Sequence, residues 1–504
     1  MSNSSRANGM PSSSAGKEVG DIVQTPNAPI KSWRYLGGVK SEPNDVVRFT
    51  ETSPGGLVRN SFGELVWRPG WNQLVKTVPT QVVHVSLNNG TGELNDGATA
   101  ATTYTAALST TLACPITGKP VYGFAGGEGV GENSVKWVNR VNITDAAPDE
   151  VWIIAVYSER SGGRARLRLG GTDCSFTDPT KYREFYWPGT HVRRGWNFLA
   201  VKNVEQYISP STYGVVGTND FSDWVNGPEF SDTSTIRSVQ IVVENNPHQA
   251  YIAGLWRAPK GWATGAIMWG ADDVLRTFAD LAVPEFERRG IPYTLNLTTS
   301  WMSYMGTHVT HAMAQALSKS PRCQIWGHTN NHPNMPTLSA DEAKLELLRS
   351  HTVLKSNGFF AAGMAWPFNA SNDATEAQAR EQGFKLARAA EGKFLNPWQP
   401  AHRAFCLPSI TIEETNSWRA DASINRLATL GLSGIAYMHG TIEGGEGIDT
   451  IPAPSKHYLA HLKRWLDLTE AKMESGELVA LHIDEYFRAC GTDPMTTPFI
   501  EKAP

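Results

Sequence analysis

The feature that most constrains this chain is a change of hydrophobic period at Ala258-Pro259-Lys260-Gly261. Before it, from about Ser32, short runs rich in Val, Ile, Tyr, Phe and Trp recur between clusters of Gly, Asn, Asp and Pro. Examples are 151–157 (VWIIAVY), 164–169 (RARLRL), 196–201 (WNFLAV), 237–243 (RSVQIVV) and 250–256 (AYIAGLW). Such runs read as strands. The run RARLRL alternates charged and apolar residues, as a half-solvated antiparallel strand does. Few helical stretches intervene, so the pattern predicts an all-β sandwich, jelly-roll-like, over 31–258.

After Gly261 the pattern is α/β. Strand-like 267–270, 293–297, 324–326, 361–366, 384–387, 434–438 and 478–483 alternate with helical 274–289, 340–356, 374–382 and 456–473. Ser339 with Glu342 three residues on forms a capping box for the second helix, and Ser455 is the expected cap of the last. Alternation of this kind gives a parallel sheet, here a barrel of the (β/α) type over 262–504. The chain is therefore multidomain: a Ser-, Asn- and Gly-rich flexible tail (1–30), the sandwich, and the α/β domain.

Composition excludes several classes. The 45 basic and 49 acidic residues leave a formal charge of −4, so no nucleic-acid partner is expected. No apolar run reaches the ~18 residues of a membrane span, and the opening MSNSSRANGM has no apolar core of a secretory signal. Five cysteines, far apart and without CxxC spacing, read as buried small apolar residues. The 17 tryptophans favour a carbohydrate partner, because indole faces stack on sugar rings.

In a (β/α) barrel the chemistry sits where strands end. Those ends carry Asp272-Asp273, then Asn296 and Thr298, His328 and His332, Trp366-Pro367-Phe368, and His439. In His328-Thr-Asn-Asn-His332 the two imidazoles are one turn apart if the segment is helical, so both can face one ion. One carboxylate of the acidic pair completes an open three-ligand site, the pattern of catalytic zinc. Neighbouring residues at a strand end point in different directions, so one of the pair is expected to face the ion.

In this order and spacing WGADDV, GHTNNHP, AWPFN and YMHG resemble the successive motifs of the polysaccharide deacetylases, the family-four carbohydrate esterases. The resemblance covers about residues 262–485. It implies a distorted (β/α) barrel and a divalent ion, Zn2+ as the first expectation, on Asp273, His328 and His332. It implies Asp272 as general base, the Phe368 backbone N–H as oxyanion donor and His439 as general acid. Trp366, Pro367 and Trp269 are expected to line the substrate site, with Trp326 and Trp398 nearby. Two positions depart from the family: Ala271 stands where many members have an aromatic residue, and Ala365 where many have an arginine that pairs with the base. Arg388 and Arg403 are the candidate substitutes.

Three functions fit these readings. The first is a metal-dependent deacetylase acting on an acetylated bacterial surface or capsular polysaccharide. The second is a non-catalytic glycan-binding adhesin or tail protein, for which Ala365 is the argument. The third is a metal-dependent amidohydrolase on a small non-sugar amide. The sandwich would be a carbohydrate-binding or attachment domain, and a virion tail acting at the host surface, with homo-oligomer or virion partners, is one setting that fits.

Overall fold

The computed structural model describes residues 264–489 apart from 304–305, 392–403, 413–416, 431–432 and 445–455. Of 132–258 it describes all but 140, 145–150, 160, 162, 179–180, 193, 203–222, 227–234 and 245–249. Before 132 it describes strand segments alone, from Ile22–Gln24 to Pro120–Phe124. The expected tail (1–30) thus lies outside the described residues except for Ile22–Gln24, which pairs with Ser32–Val39. Arg403, Trp398, Cys114 and Cys490 also lie outside them.

In the N-terminal half, Gly163–Gly170, Tyr182–Val192 and Ser238–Glu244 belong to one antiparallel sheet, and Val151–Ser158, Gly195–Lys202 and Ala250–Ala258 to another. One buried cluster draws on both: Trp152, Ile154 and Leu255 from the second, Leu167, Phe185 and Ile241 from the first. In RARLRL the apolar residues enter that cluster, while Arg166 and Arg168 turn away to pair with Glu184.

The C-terminal half is built on eight parallel strands: β1 (Gly265–Ala271), β2 (Tyr293–Leu297), β3 (Cys323–Gly327), β4 (Gly363–Ala365), β5 (Leu386–Glu391), β6 (Leu407–Thr411), β7 (Ser433–Met438) and β8 (Leu478–Ala480). Strands β1 to β7 neighbour one another in order, and β7 and β2 both pair with β1, which closes a ring of seven. Strand β8 pairs with the first half of β1, on the edge that β2 takes in its second half. The barrel is distorted at this shared edge.

Register fixes which side chains face inward, because side chains alternate along a strand. Asp272 extends the series Ala266, Met268, Gly270, whose register partners include Ile435 and Tyr437 on β7 and Thr294 on β2. Asn296 pairs with Trp326, two residues before His328, and Ala365 pairs with Arg388. Trp326 fills the interior so fully that a Cβ at Gly363 would lie 2.1 Å from its ring, which is why glycine occupies that position.

Among the described residues seven helices are interleaved with these strands: α1 (Val283–Arg289), α2 (His311–Leu317), α3 (Ala340–Ser356), α4 (Asp373–Glu381), α5 (Ser417–Leu430), α6 (Leu459–Glu474) and α7 (Ile483–Ala489). The capping box of Ser339 and Glu342 is present at α3. Two helices differ from their sequence reading. The expected 274–289 helix is a π turn, Phe278–Ala282, followed by α1, because Pro284 has no N–H for a regular turn. The last helix starts at Leu459 rather than 456, because Lys456–Tyr458 instead pairs as a strand with Gly440–Ile442. Strand β6 and helices α2, α5 and α7 escaped the sequence reading.

Gly363→Ala tests the interior packing. Overpacking of this kind costs ~1–3 kcal/mol, so the urea midpoint is expected to fall. An unchanged midpoint would mean that Trp326 does not fill the space beside Gly363.

Candidate metal centre and catalytic pair

Strand β1 delivers the acidic pair and then turns sharply. Asp272, the first residue past the strand, still bonds its N–H to the Met438 carbonyl, whereas Asp273 and Val274 take positive φ (60° and 44°). The turn sends the two carboxylates in different directions, as expected for adjacent residues. Asp273 Oδ1 lies 3.6 Å from His328 Nε2 and 3.4 Å from His332 Nε2.

The two histidines are not on a helix. The segment is a loop in which Thr329 and His332 have φ of 62° and 59°, so the loop, rather than a helical turn, brings the imidazoles together. Their ring centroids are 4.7 Å apart. His328 Nδ1 lies 2.8 Å from the Ala365 carbonyl; as the donor there, it leaves Nε2 with its lone pair facing Asp273. Burial pushes the His328 pKa down to about 4 and lowers that of His332 as well, although the nearby aspartates oppose this. Both rings are therefore neutral at pH 7, the form in which imidazole is a ligand. The depressed His328 pKa ties stability to pH. From about pH 6.5 downward the unfolded chain takes up a proton that the folded site refuses, so acid destabilises the fold.

These three residues fit a divalent cation. Their donor atoms lie within 4.8 Å of one another, and Asp273 Oδ1 is buried with no hydrogen-bond donor among the described residues. A buried carboxylate oxygen facing two imidazole lone pairs is costly without a cation between them. Two nitrogens and one oxygen form the donor set of an open zinc site.

Asp272 occupies a different environment. Its Oδ1 accepts from Asn296 Nδ2 at 2.8 Å, and its Oδ2 pairs with the Arg388 guanidinium. Burial alone would raise its pKa, but Arg388, then His328, His439 and the Asn296 hydrogen bond together hold it below the usual carboxylate range. Arg388 also donates to Asn369 Oδ1 (2.7 Å) and lies 4.0 Å over the Tyr437 ring. Asn369 in turn donates to the Tyr437 hydroxyl, which also accepts from Thr411. The arginine missing at 365 is thus replaced from the adjacent strand, at the register partner of Ala365. Asp272 is anchored by this pair.

The other sequence candidates divide. His439 follows β7, half-buried, with its ring 5.9 Å from that of Tyr437; when protonated it lowers the pKa of Asp272 and of His332. Phe368 stands at φ 56° in a short turn, 65% exposed, with its ring 4.8 Å from that of His332. Trp269, Trp366 and Pro367 are buried and cannot line a substrate cleft. Trp269 points outward from the barrel against Phe286, and Trp366 Nε1 donates to the Phe405 carbonyl. Trp326 fills the interior. The half-buried tryptophan beside the site is Trp301, 5.3 Å from His332 and 5.0 Å from His308 between ring centroids, and the sequence reading missed it.

Residues 265–387 match the polysaccharide deacetylase family model. The match carries both aspartates, both histidines and Phe368, and ends one residue before Arg388. No curated protein matches the chain. Similar solved structures include a Streptococcus pyogenes deacetylase, PplD, in complex with acetate. It is 23% identical with a TM-score of 0.26, covering 28% of this chain and 62% of that one. The chain thus spans less than two thirds of that protein. A carbohydrate esterase domain of a multidomain xylanase, from the hindgut metagenome of Trinervitermes trinervoides, is 16% identical with a TM-score of 0.32, covering 46% and 93%. A de-N-acetylase from Aggregatibacter actinomycetemcomitans is 17% identical with a TM-score of 0.22, covering 24% and 62%.

Arg388→Ala leaves the buried Asp272 carboxylate without its cation. Breaking such a pair costs ~3–5 kcal/mol, and with burial then dominant the pKa of Asp272 rises. The stability that Asp272 contributes above its unfolded pKa of about 4 is lost as pH falls through its depressed folded value; in Arg388→Ala, with the folded pKa raised above the unfolded one, ionisation of Asp272 instead destabilises the fold as pH rises. Adding Ala365→Arg is expected to restore much of both. Urea unfolding and a rate profile over pH check this; an acidic limb that stays in place would separate Arg388 from Asp272.

Proposed function

We propose that the barrel domain is a metal-dependent hydrolase that removes acetyl groups from a bacterial surface or capsular polysaccharide. The observation that carries this reading is the pairing of two different carboxylates at one strand end. One faces two neutral imidazoles without a donor, and the other is held ionised by arginine. A divalent ion on Asp273, His328 and His332, Zn2+ by its donor set, would polarise the acetyl carbonyl and acidify water.

The remaining chemistry belongs to the chain. Asp272, ionised and anchored by Arg388 and Asn296, accepts the proton of the attacking water. The Phe368 backbone N–H, presented by its left-handed turn, stabilises the oxyanion as it forms. His439 protonates the leaving amine or alkoxide. The exposed Phe368 ring and the half-buried Trp301 offer apolar faces on which a sugar ring can rest. The N-terminal half, with two antiparallel sheets sharing one core, is read as a β-sandwich that binds carbohydrate or attaches the enzyme to a surface.

Acetate release from a panel of acetylated polysaccharides, with and without chelator, tests this reading. Metal-dependent release is expected. Release from small amides alone would favour the amidohydrolase, and glycan binding without release the adhesin. Asp272→Asn is expected to keep bound metal and lower turnover by ~10²–10⁴-fold. Asp273→Asn is expected to lose metal and to regain part of its activity in excess metal. The reverse pattern of metal content would exchange the two roles.

A further inference from the structure

Helix α3 carries a carboxylate where its pattern calls for an apolar residue. Its buried stripe is Ala343, Glu346, Leu347, Ser350 and Leu354, so Glu346 lies on the core side of the helix, 9% exposed. The helix packs against β3 at Gly327, where a Cβ would meet the Leu354 and Ser350 side chains at 3.2 Å. One turn before Ser350, Glu346 therefore reaches the loop that starts at His328.

There the carboxylate meets a concavity of backbone donors. Thr329 is left-handed, and the next two N–H groups, of Asn330 and Asn331, both donate to Glu346 Oε2 at 3.1 and 2.8 Å. Asn331 Nδ2 donates to Oε1 at 2.6 Å. Successive N–H groups after a left-handed residue make an anion-binding nest, and here the anion is the chain's own. The far side of the loop is tied as well, by Thr299 N–H to the Thr329 carbonyl and Ser300 N–H to the Asn330 carbonyl. Held on both sides, the loop delivers His332 in a left-handed conformation that it would not adopt freely.

We propose that Glu346 is a positioning residue for the metal centre, filling the backbone nest of loop 328–332 so that His332 faces Asp273. The inference rests on the reading of Asp273, His328 and His332 as ligands. Groups that orient first-shell ligands typically change metal affinity ~10–100-fold when removed.

The test uses the full chain and zinc alone, with affinity read by competition against a chromophoric chelator. The visible spectrum of the Co2+-substituted protein reports ligand geometry. Glu346→Ala is expected to raise the zinc Kd by ~10–100-fold and to change the Co2+ spectrum. Glu346→Gln keeps an acceptor for both N–H groups, with the Asn331 amide turning over to suit, and is expected to recover most of the affinity. Glu342→Ala weakens the same helix at its capping box without touching the nest, and is expected to bind zinc like the parent. Should the Ala variant not fold, Glu346→Asp carries the test: one methylene short, it should bind zinc more weakly than the Gln variant. Parent-like zinc affinity in Glu346→Ala, or in Glu346→Asp where that variant carries the test, overturns the inference and leaves the metal site standing. Equal losses in Glu346→Gln and Glu346→Ala, or in Glu342→Ala and Glu346→Ala, do the same. A parent that binds no zinc overturns both.

Discussion

The site is organised around one buried charge, the Asp272 carboxylate, and around how it is compensated. At 3% exposure it could not stay ionised without a cation, and the barrel supplies one from β5. Arg388 must then be satisfied itself. Asn369, Ser409 and the Tyr437 face are gathered around it, and they come from the Phe368 turn, β6 and β7. A single ion pair thus ties the end of β1, strands β5, β6 and β7 and the Phe368 turn together. In the proposed mechanism it also sets the difference between the two aspartates: the compensated one handles protons and the uncompensated one meets a metal.

Local strain gathers at the same place. Of the ten non-glycine residues with positive φ among the described residues, six are Asp273, Val274, Thr329, His332, Phe368 and Asn369. Such conformations cost ~1–3 kcal/mol each and persist only where the surroundings over-determine them. The surroundings here are the Arg388 network on one side and the Glu346 nest on the other. Both use hydrogen bonds to hold side chains where a relaxed loop would not.

Much of this was legible in the sequence, and the misses have physical causes. The change of period at 258–261, the capping box at Ser339 and the order of strand-end residues are local signals, and the parallel α/β class of the C-terminal half follows from them. Arg388 could be named only as one of two candidates, because its role depends on the register of β4 against β5, which no local pattern encodes. The misassigned tryptophans could have been corrected from the sequence. If Asp272 faces inward, parity places Gly270 and Met268 inward and Trp269 outward. If Ala365 faces inward, Trp366 does not. Glu346 also left a trace, as a charge on the apolar stripe of α3. The loop geometry of 328–332 left none, since His-x-x-x-His spacing reads equally well as a helical turn. Strand β6 was hidden by its brevity and by Pro408.

The most direct measurement is anomalous diffraction at the zinc edge from crystals grown with Zn2+. The account expects one strong peak between Asp273 Oδ1, His328 Nε2 and His332 Nε2, with Asp272 still bound to Arg388. A peak ligated by Asp272 with Arg388 displaced, or no peak among these residues at saturating zinc, would contradict it.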